Sequence, residues 1–244
     1  LTDAIGAELL VGSDGIGRKI PVSYVTADLI STPAKAGVNL PKGVNLVGIA
    51  KDFGEGYGLA LGTTRGVVKV SKPDWKNKDE FPLINLAEGD RVLNTRWLEE
   101  EPKGTHFYFV SKKSSVLVFD AGSVRASGSS AAGVAGFKVN PADDAAVAFG
   151  WVTSLTEGVV LSRTKTSLKV TALSEIAPKG RGAQGVALQG LDKGEFLVDA
   201  FAGTDPVVSA SDLGVAINTP PATPRARKGT KIPGSVDFGS RSAY

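Results

Sequence analysis

Lysines and arginines recur at similar places along the 244-residue chain, and such residues could bind the phosphates of a nucleic acid. Phosphate binding needs cationic side chains spaced along one surface, and affinity then falls steeply with salt because counterions are released. A solvated strand face is the alternative explanation for each residue alone, since edge strands commonly hold lysine to prevent aggregation. We predict DNA binding for the recurring set, which comprises Arg18, Lys19, Arg65, Lys69, Lys112, Lys113, Arg163, Lys165 and Lys169.

Few other side chains in the sequence could support catalysis or metal binding. The chain has no cysteine and only one histidine, His106, so we predict neither a disulfide nor a zinc site. The GxxxxGKS or GxxxxGKT pattern of a phosphate-binding loop does not occur. No stretch approaches the roughly 20 apolar residues that span a bilayer, so we expect a soluble protein without a membrane partner.

The net charge of +3 is unevenly distributed. Residues 219–244 hold five basic residues and one acidic residue, a net charge of +4, which leaves residues 1–218 with a net charge of −1. Any nucleic-acid affinity of residues 1–218 must therefore come from the arrangement of charge on one face. Residues 219–244 combine proline, glycine and basic residues, a composition that cannot repay its ordering entropy by burial. We predict a flexible basic tail there.

A repeat of about fifty residues runs through the sequence. Ile20, Val70, Phe119 and Val170 occupy matching positions in four similar segments, at separations of 50, 49 and 51 residues. Each unit combines a polar turn and a short alternating strand with a second turn and an outgoing strand, which amounts to about four strands. Such units are typical of propeller blades, which need neighbours to bury their faces. The sequence therefore predicts an all-β propeller with four visible blades, near residues 8–56, 57–104, 105–156 and 157–203.

A weaker strand pattern at residues 205–217 follows the fourth unit. It could close the ring or begin a further unit, so the full domain could have five or six blades. We assign the propeller to residues 1–218 and the tail to residues 219–244.

Two runs of sequence resemble blades of the C-terminal domain of bacterial type IIA topoisomerase A subunits, the family of gyrase and topoisomerase IV. The first is GLALGTTRGVVKVSKPDW with its continuation KNKDEFPLINLAEGDRVLNTRW, and the second is FYFVSKKSSVLVFDAGSVRASGSSAAGVAGFKV. The resemblance extends from about Glu8 to Gly203. The run NKDE followed by GDRV is similar to topoisomerase IV A subunits of high-GC Gram-positive bacteria in particular.

The resemblance implies a pinwheel-like propeller whose positively charged outer rim binds and bends duplex DNA. Gyrase members carry a basic, glycine-rich box that is needed to wrap DNA. The match to that box here keeps its glycines and two basic residues but lacks the clustered arginines, and the equivalent loop of the third unit retains only Arg125. This degeneracy favours a domain like that of topoisomerase IV. The residues of the degenerate box are Lys179, Gly180, Arg181, Gly182, Gln184 and Gly185.

The resemblance also implies that this segment is not catalytic. In the family the cleavage tyrosine lies in the N-terminal part of the subunit and the B subunit hydrolyses ATP, so we expect no cofactor here, with ATP and Mg bound elsewhere. The implied partners are double-stranded DNA, the N-terminal breakage-reunion part of the same subunit and the topoisomerase B subunit, in the cytoplasm at the nucleoid. The alternatives are a gyrase wrapping domain and a propeller that serves as a protein-interaction scaffold. A propeller hydrolase or lectin would need carboxylates or metal ligands converging on a central channel, and the sequence shows no such cluster.

Overall fold

The computed structural model describes residues 7–21, 39–51, 56–75, 78–210, 216–232 and 236–240. The strands of this part of the chain form five sheets. The chain divides into two compact units, one of Leu1–Pro102 with Val124–Val134 and one of Lys103–Ser123 with Ala135–Tyr244.

The first unit contains two sheets, each built on an antiparallel hairpin. The strand order is β3-β1-β2-β6 in the first sheet and β10-β5-β4-β7 in the second. Their strands are β1 (Ala7–Gly12), β2 (Ile16–Pro21), β3 (Leu46–Lys51), β4 (Gly58–Thr63), β5 (Val67–Ser71), β6 (Glu80–Pro82), β7 (Val92–Leu98) and β10 (Ala126–Ser127).

The second unit contains three sheets on the same plan. The strand order is β12-β8-β9-β15 in the third sheet, β16-β13-β14-β19 in the fourth and β18-β17-β20 in the fifth. The short strand β11 (Val134–Ala135) pairs with β5 of the second sheet. The other strands are β8 (His106–Ser111), β9 (Ser115–Asp120), β12 (Ala146–Val152), β13 (Val159–Arg163), β14 (Ser167–Ala172), β15 (Val186–Ala187), β16 (Asp199–Gly203), β17 (Pro206–Ala210), β18 (Ala216–Ile217), β19 (Thr230–Lys231) and β20 (Val236–Ser240).

The predicted all-β propeller fold with four-stranded blades is confirmed. The four residues that match across the repeat all lie in the second strand of a hairpin, in β2, β5, β9 and β14. Gly15 and Gly66 have φ of +75° and +76° in the first two hairpin turns, a conformation that glycine adopts at no steric cost. Ser114 takes φ of +66° at the same place in the third hairpin. The repeat in sequence is therefore a repeat of hairpins.

The fourth strand of each of the first four sheets comes from the next repeat along the chain. Strand β6, which follows the β4–β5 hairpin, pairs with β2, and β15 and β19 pair with β9 and β14, all three antiparallel. In the second sheet, β10 pairs with β5 in parallel and β11 also pairs with β5. We call the three later connections that carry these strands the crossing loops, at residues 127–133, 179–185 and 223–229. Each lies along the edge of its sheet that is remote from β7, β12 or β16.

The hydrophobic cores lie between neighbouring sheets within each unit. In the first unit, Leu9 and Val11 of the first sheet share a cluster with Leu59 and Leu61 of the second. In the second unit, one cluster joins the third and fourth sheets and another joins the fourth and fifth. The strands of the hairpins are consequently buried on both faces, as in β4, where all six residues are buried.

Residues 219–244 were predicted to be a flexible tail, and the structure corrects this for the part that it describes. Strand β19 completes the fourth sheet and β20 pairs with β17. The sequence pattern at 205–217 thus belongs to a fifth sheet. Composition was misleading because this segment adds strands to hairpins that earlier residues supply, so its own lack of apolar side chains does not leave it without partners. Residues 233–235 and 241–244 lie outside the described part.

The described residues contain no helix that is long and apolar enough to cross a membrane. Within the same part of the chain, no group of three or more His, Cys, Asp or Glu side chains is placed to hold a metal ion.

Candidate nucleic-acid interface

The crossing loops 179–185 and 223–229 have the same backbone structure. The amide of Ala183 donates to the carbonyl of Gly180 at 3.2 Å, and that of Arg227 donates to the carbonyl of Pro224 at 3.3 Å. Each loop has a residue in the left-handed conformation, Gly182 at φ of +76° and Ala226 at φ of +64°. The two loops are therefore equivalent, with a fixed offset of 44 residues.

Each of these loops also pairs with the preceding connection in the same manner. Gly182 donates its amide to the carbonyl of Gly136 at 2.8 Å, and Ala226 donates to that of Leu188 at 2.9 Å. Arg181 and Arg225 occupy equivalent positions in the two loops. Nη1 of Arg181 donates to the carbonyl of Ala135 at 2.6 Å, and Nη1 of Arg225 donates to that of Ala187 at 3.1 Å. An arginine thus bridges the edge of the sheet at the same place in successive blades.

Loop 179–185 holds the residues of the predicted degenerate box. Lys179 and Arg181 are both exposed, and Nζ of Lys179 donates to the carbonyl of Gln184 at 3.3 Å. Gly185 is required by a close approach, because a Cβ at this position would lie 2.5 Å from the carbonyl oxygen of Val116 in β9. The box is therefore an ordered loop on the outer edge of the third sheet, with its two cationic groups facing solvent.

Loop 223–229 carries three basic residues, Arg225, Arg227 and Lys228, and the sequence analysis missed it as a site. Arg227 and Lys228 are exposed and Arg225 is half-buried. These residues were assigned to the tail because of the proline, glycine and basic composition of residues 219–244. A usable signal was the pattern Arg-x-x-x-Gly, which occurs at 181–185 and again at 225–229.

Acidic residues flank loop 223–229. Asp192 forms an ion pair with Nζ of Lys228, and this contact raises the pKa of that lysine. A carboxylate oxygen of Glu175 accepts a hydrogen bond from the amide of Arg225 at 2.7 Å. The charges of this loop are thus partly neutralised within the fourth sheet and its connections.

Lys69 and Lys169 of the predicted DNA-binding set are buried, since each is only 1% exposed. Nζ of Lys69 donates to four carbonyl oxygens at 2.7 to 2.9 Å, those of Leu83, Gly128, Ser129 and Ala131. Nζ of Lys169 donates to the carbonyl and hydroxyl oxygens of Thr223 at 2.9 and 2.8 Å and to the carbonyl of Pro224 at 3.0 Å. Both lysines therefore bind the crossing loop of the next repeat.

Arg18 of the predicted set is also buried. It is 8% exposed, and its Nη2 lies 2.7 Å from a carboxylate oxygen of Asp14. Its Nε lies 3.3 Å from Glu80 of β6, the crossing strand of the first sheet. The hydrogen bond to Asp14 is the main cause of a raised pKa for this guanidinium. Arg18 therefore fixes a crossing strand, as Lys69 and Lys169 fix crossing loops.

A third group of predicted residues lies at or beside the hairpin turns, and an acidic residue is close to most of them. Lys113 forms an ion pair with Asp143, and the amide of Arg65 donates to Asp90 at 2.9 Å. Nε of Arg163 lies 3.9 Å from Asp199. Lys112 places its Nζ 4.4 Å from the ring centroid of Phe196. The exposed Lys165 lies beside Thr166, whose hydroxyl donates to Glu195.

The structure thus divides the predicted DNA-binding residues into three environments. Lys179 and Arg181 lie in a crossing loop, and the exposed Arg125 lies two residues before another. The hairpin residues are paired with or close to acidic groups. Lys19 is half-buried in β2 and engaged in contacts of its own.

Burial lowers the pKa of Lys69 from 10.5 to about 8, although the charge of Asp74 acts in the opposite direction. Between these two pH values the unfolded chain binds more protons than the folded chain, so stability rises with pH across this window. We expect the free energy of unfolding of the wild type, minus that of Lys69→Met, to increase between about pH 8 and pH 10. Urea denaturation at a series of pH values measures this difference, and a flat difference would contradict the expected titration.

Part of the chain is similar to a known family. Residues 105–148 and 167–202 match the family model described as DNA gyrase C-terminal domain, beta-propeller. A curated relative, topoisomerase subunit TopoM of Mycolicibacterium smegmatis, is 36% identical over 94 residues, which make up 38% of this chain and 13% of the relative. The chain therefore matches only a small part of that protein.

Solved structures share the fold at low sequence identity. The C-terminal domain of DNA topoisomerase IV superposes with a TM-score of 0.79 at 18% identity, covering 97% of this chain and 80% of that one. The DNA gyrase A C-terminal domain gives a TM-score of 0.64 at 21% identity, covering 85% and 69%. The E. coli ParC C-terminal domain gives a TM-score of 0.66 at 13% identity, covering 97% and 100%.

The resemblance expected from the sequence is thus confirmed by a family match over the third and fourth repeats and by the common fold. The chain is similar to the DNA gyrase C-terminal domain family over these residues, and it shares the fold of the C-terminal domains of topoisomerase IV and gyrase A.

Proposed function

We propose that this domain binds duplex DNA through the crossing loops 179–185 and 223–229 and belongs to a topoisomerase IV-like A subunit, whose topological substrate preference it sets. One observation carries the proposal: loops 179–185 and 223–229 present basic side chains from equivalent backbone positions on successive sheets of one unit. Phosphates are the natural ligands of such a surface, because evenly placed cations position a duplex without reading its bases.

The domain itself catalyses no reaction in this role. Strand cleavage and ATP hydrolysis, with ATP and Mg, belong to the N-terminal part of the subunit and to the B subunit, which are its proposed protein partners. The domain holds a bent segment of duplex beside them, in the cytoplasm at the nucleoid.

The test is binding of the 244-residue chain to a linear duplex across a salt series, with the Lys179→Ala/Arg181→Ala double variant in parallel. We expect the variant to bind about tenfold more weakly at low salt, since exposed charged contacts contribute roughly 0.5 to 1 kcal/mol each. The slope of log affinity against log salt should become shallower by about 1 to 2, because one counterion is released per neutralised phosphate.

The control variant Lys113→Ala/Lys165→Ala removes the same charge from hairpin turns and should bind within about twofold of the wild type. Equal losses in both double variants would show that only net charge matters. Failure of the wild type to bind at low salt would overturn the proposal in favour of a protein-interaction scaffold.

A gyrase-like wrapping domain is the second candidate, and loop 223–229 favours it. With Arg225, Arg227 and Lys228, this loop has a density of basic residues that the degenerate box lacks. Closing a relaxed nicked plasmid in the presence of the domain separates the two candidates. A shift in linking number indicates wrapping with a fixed hand, whereas an unchanged distribution indicates that the duplex is held without wrapping.

A further inference from the structure

The buried Lys169 holds the first residues of loop 223–229 in place. Its ammonium group has three acceptors in that loop, the carbonyl and hydroxyl oxygens of Thr223 and the carbonyl of Pro224, all within 3.0 Å. These two residues directly precede Arg225. A buried ammonium group needs such hydrogen-bond acceptors. If the first residues of the loop moved away from the fourth sheet, the ammonium group of Lys169 would stay buried without them.

The loop needs this attachment because its own conformation is unfavourable. Ala226 has φ of +64°, in the left-handed region that a residue with a Cβ rarely adopts. The equivalent residue of the other basic loop is Gly182, for which the same conformation costs little. Surrounding contacts must therefore hold loop 223–229 in the shape that brings its three basic side chains to one edge.

The basic crossing loop of the third sheet is held in place by different contacts. Val118 occupies the position that Lys169 has in the fourth sheet, so no buried lysine reaches loop 179–185 from there. That loop has glycines and an internal hydrogen bond from Nζ of Lys179 to Gln184. Of the two basic loops, only 223–229, which has alanine at its left-handed position, is held by a buried lysine.

We infer that Lys169 is a positioning residue for DNA binding, whose buried ammonium group holds loop 223–229 in the shape that presents Arg225, Arg227 and Lys228 to phosphate. Lys169 itself does not touch DNA. The inference rests on the proposed function, since it assigns the loop to the DNA contact.

Lys69 provides a matched control within the same chain. It binds loop 127–133 through the same kind of ammonium-to-carbonyl contacts and is equally buried. That loop contains no basic residue. Losing Lys69 should therefore cost the fold about as much as losing Lys169, with little consequence for phosphate binding.

The experiment compares Lys169→Met and Lys69→Met in the full 244-residue chain, by urea denaturation and by affinity for a linear duplex at low salt. We expect similar losses of stability in both variants. Lys169→Met should weaken DNA binding about tenfold and make the salt dependence shallower, whereas Lys69→Met should change affinity less than about twofold. Equal affinities of Lys169→Met and the wild type, or equal losses in both variants, would overturn the inference.

Two further variants keep the test decisive if Lys169→Met does not fold. Thr223→Val removes one acceptor and leaves both carbonyls in place, so it should fold and weaken binding about twofold to threefold. In a chain already carrying Arg225→Ala, Arg227→Ala and Lys228→Ala, Thr223→Val should have no further effect on affinity. An additive effect in that background would contradict a positioning role, whereas unchanged affinity of the alanine variant itself would contradict the proposed function instead.

Discussion

Replacing Arg225, Arg227 and Lys228 together by alanine is expected to weaken duplex binding about 30-fold at low salt. Charge-assisted phosphate contacts of Arg225 and Arg227 at about 1 kcal/mol each amount to about 2 kcal/mol, and Lys228 adds little because it is ion-paired with Asp192. The dependence of log affinity on log salt should become shallower by about 2, since each contact contributes about 0.9. Fluorescence anisotropy of a labelled linear duplex, titrated at several salt concentrations, measures both quantities.

A charge-matched control is available at the hairpin turns of the same unit. The variant Lys112→Ala/Lys113→Ala/Lys165→Ala removes the same number of positive charges, but from side chains that lie near Asp143, Phe196 and Glu195. We expect it to bind within about threefold of the wild type. If this control loses as much affinity as the loop variant, the crossing loops are not the DNA contact and general charge attraction explains binding.

The repeat could be predicted from sequence because its signal is local. Every repeat places an apolar residue of the second hairpin strand at nearly the same interval, and the structure puts all four in equivalent strands. The fifth sheet was only partly visible, because β18 is two residues long and pairs with β17 over just two positions.

The exchange of the fourth strand between repeats could not be predicted in this way. Strands β10, β15 and β19 are two residues long, and nothing in a pattern that short says which sheet a strand joins. This also affected the prediction of the functional site, because the basic residues beyond Thr223 were interpreted as a tail although they form the crossing loop of the fourth sheet.

The buried lysines show where a correct local pattern led to a wrong site. An alternating strand predicts that every second residue faces solvent, which would place Lys69 and Lys169 on a cationic face. In a stack of sheets, however, hairpin strands are covered on both faces, and both lysines lie in the interior. Their chemistry then changes from binding phosphate to binding the carbonyls of a crossing loop.

Replacing Gly185 by alanine is expected to destabilise the domain by about 2 to 3 kcal/mol and to displace the predicted box from the third sheet. A Cβ at this position would lie 2.5 Å from both the carbonyl oxygen of Val116 and the hydroxyl oxygen of Ser115. Because the carbonyl belongs to the backbone of β9, a rotamer change cannot relieve this contact, and overpacking of this kind costs about 1 to 3 kcal/mol. The pairing of β15 with β9 begins one residue later, so the strain falls directly on that short ladder.

Gly180→Ala is the matched control, because it makes the same chemical change in the same loop where no atom lies within 4 Å of the new Cβ. We expect its free energy of unfolding to stay within about 0.5 kcal/mol of the wild type. Urea denaturation measures stability, and duplex binding measures the loop, where Gly185→Ala should reduce affinity about as much as Lys179→Ala/Arg181→Ala does. If Gly185→Ala destabilises the domain but leaves affinity unchanged, loop 179–185 need not lie against β9 to function, and the DNA contact of the second unit must then depend on loop 223–229.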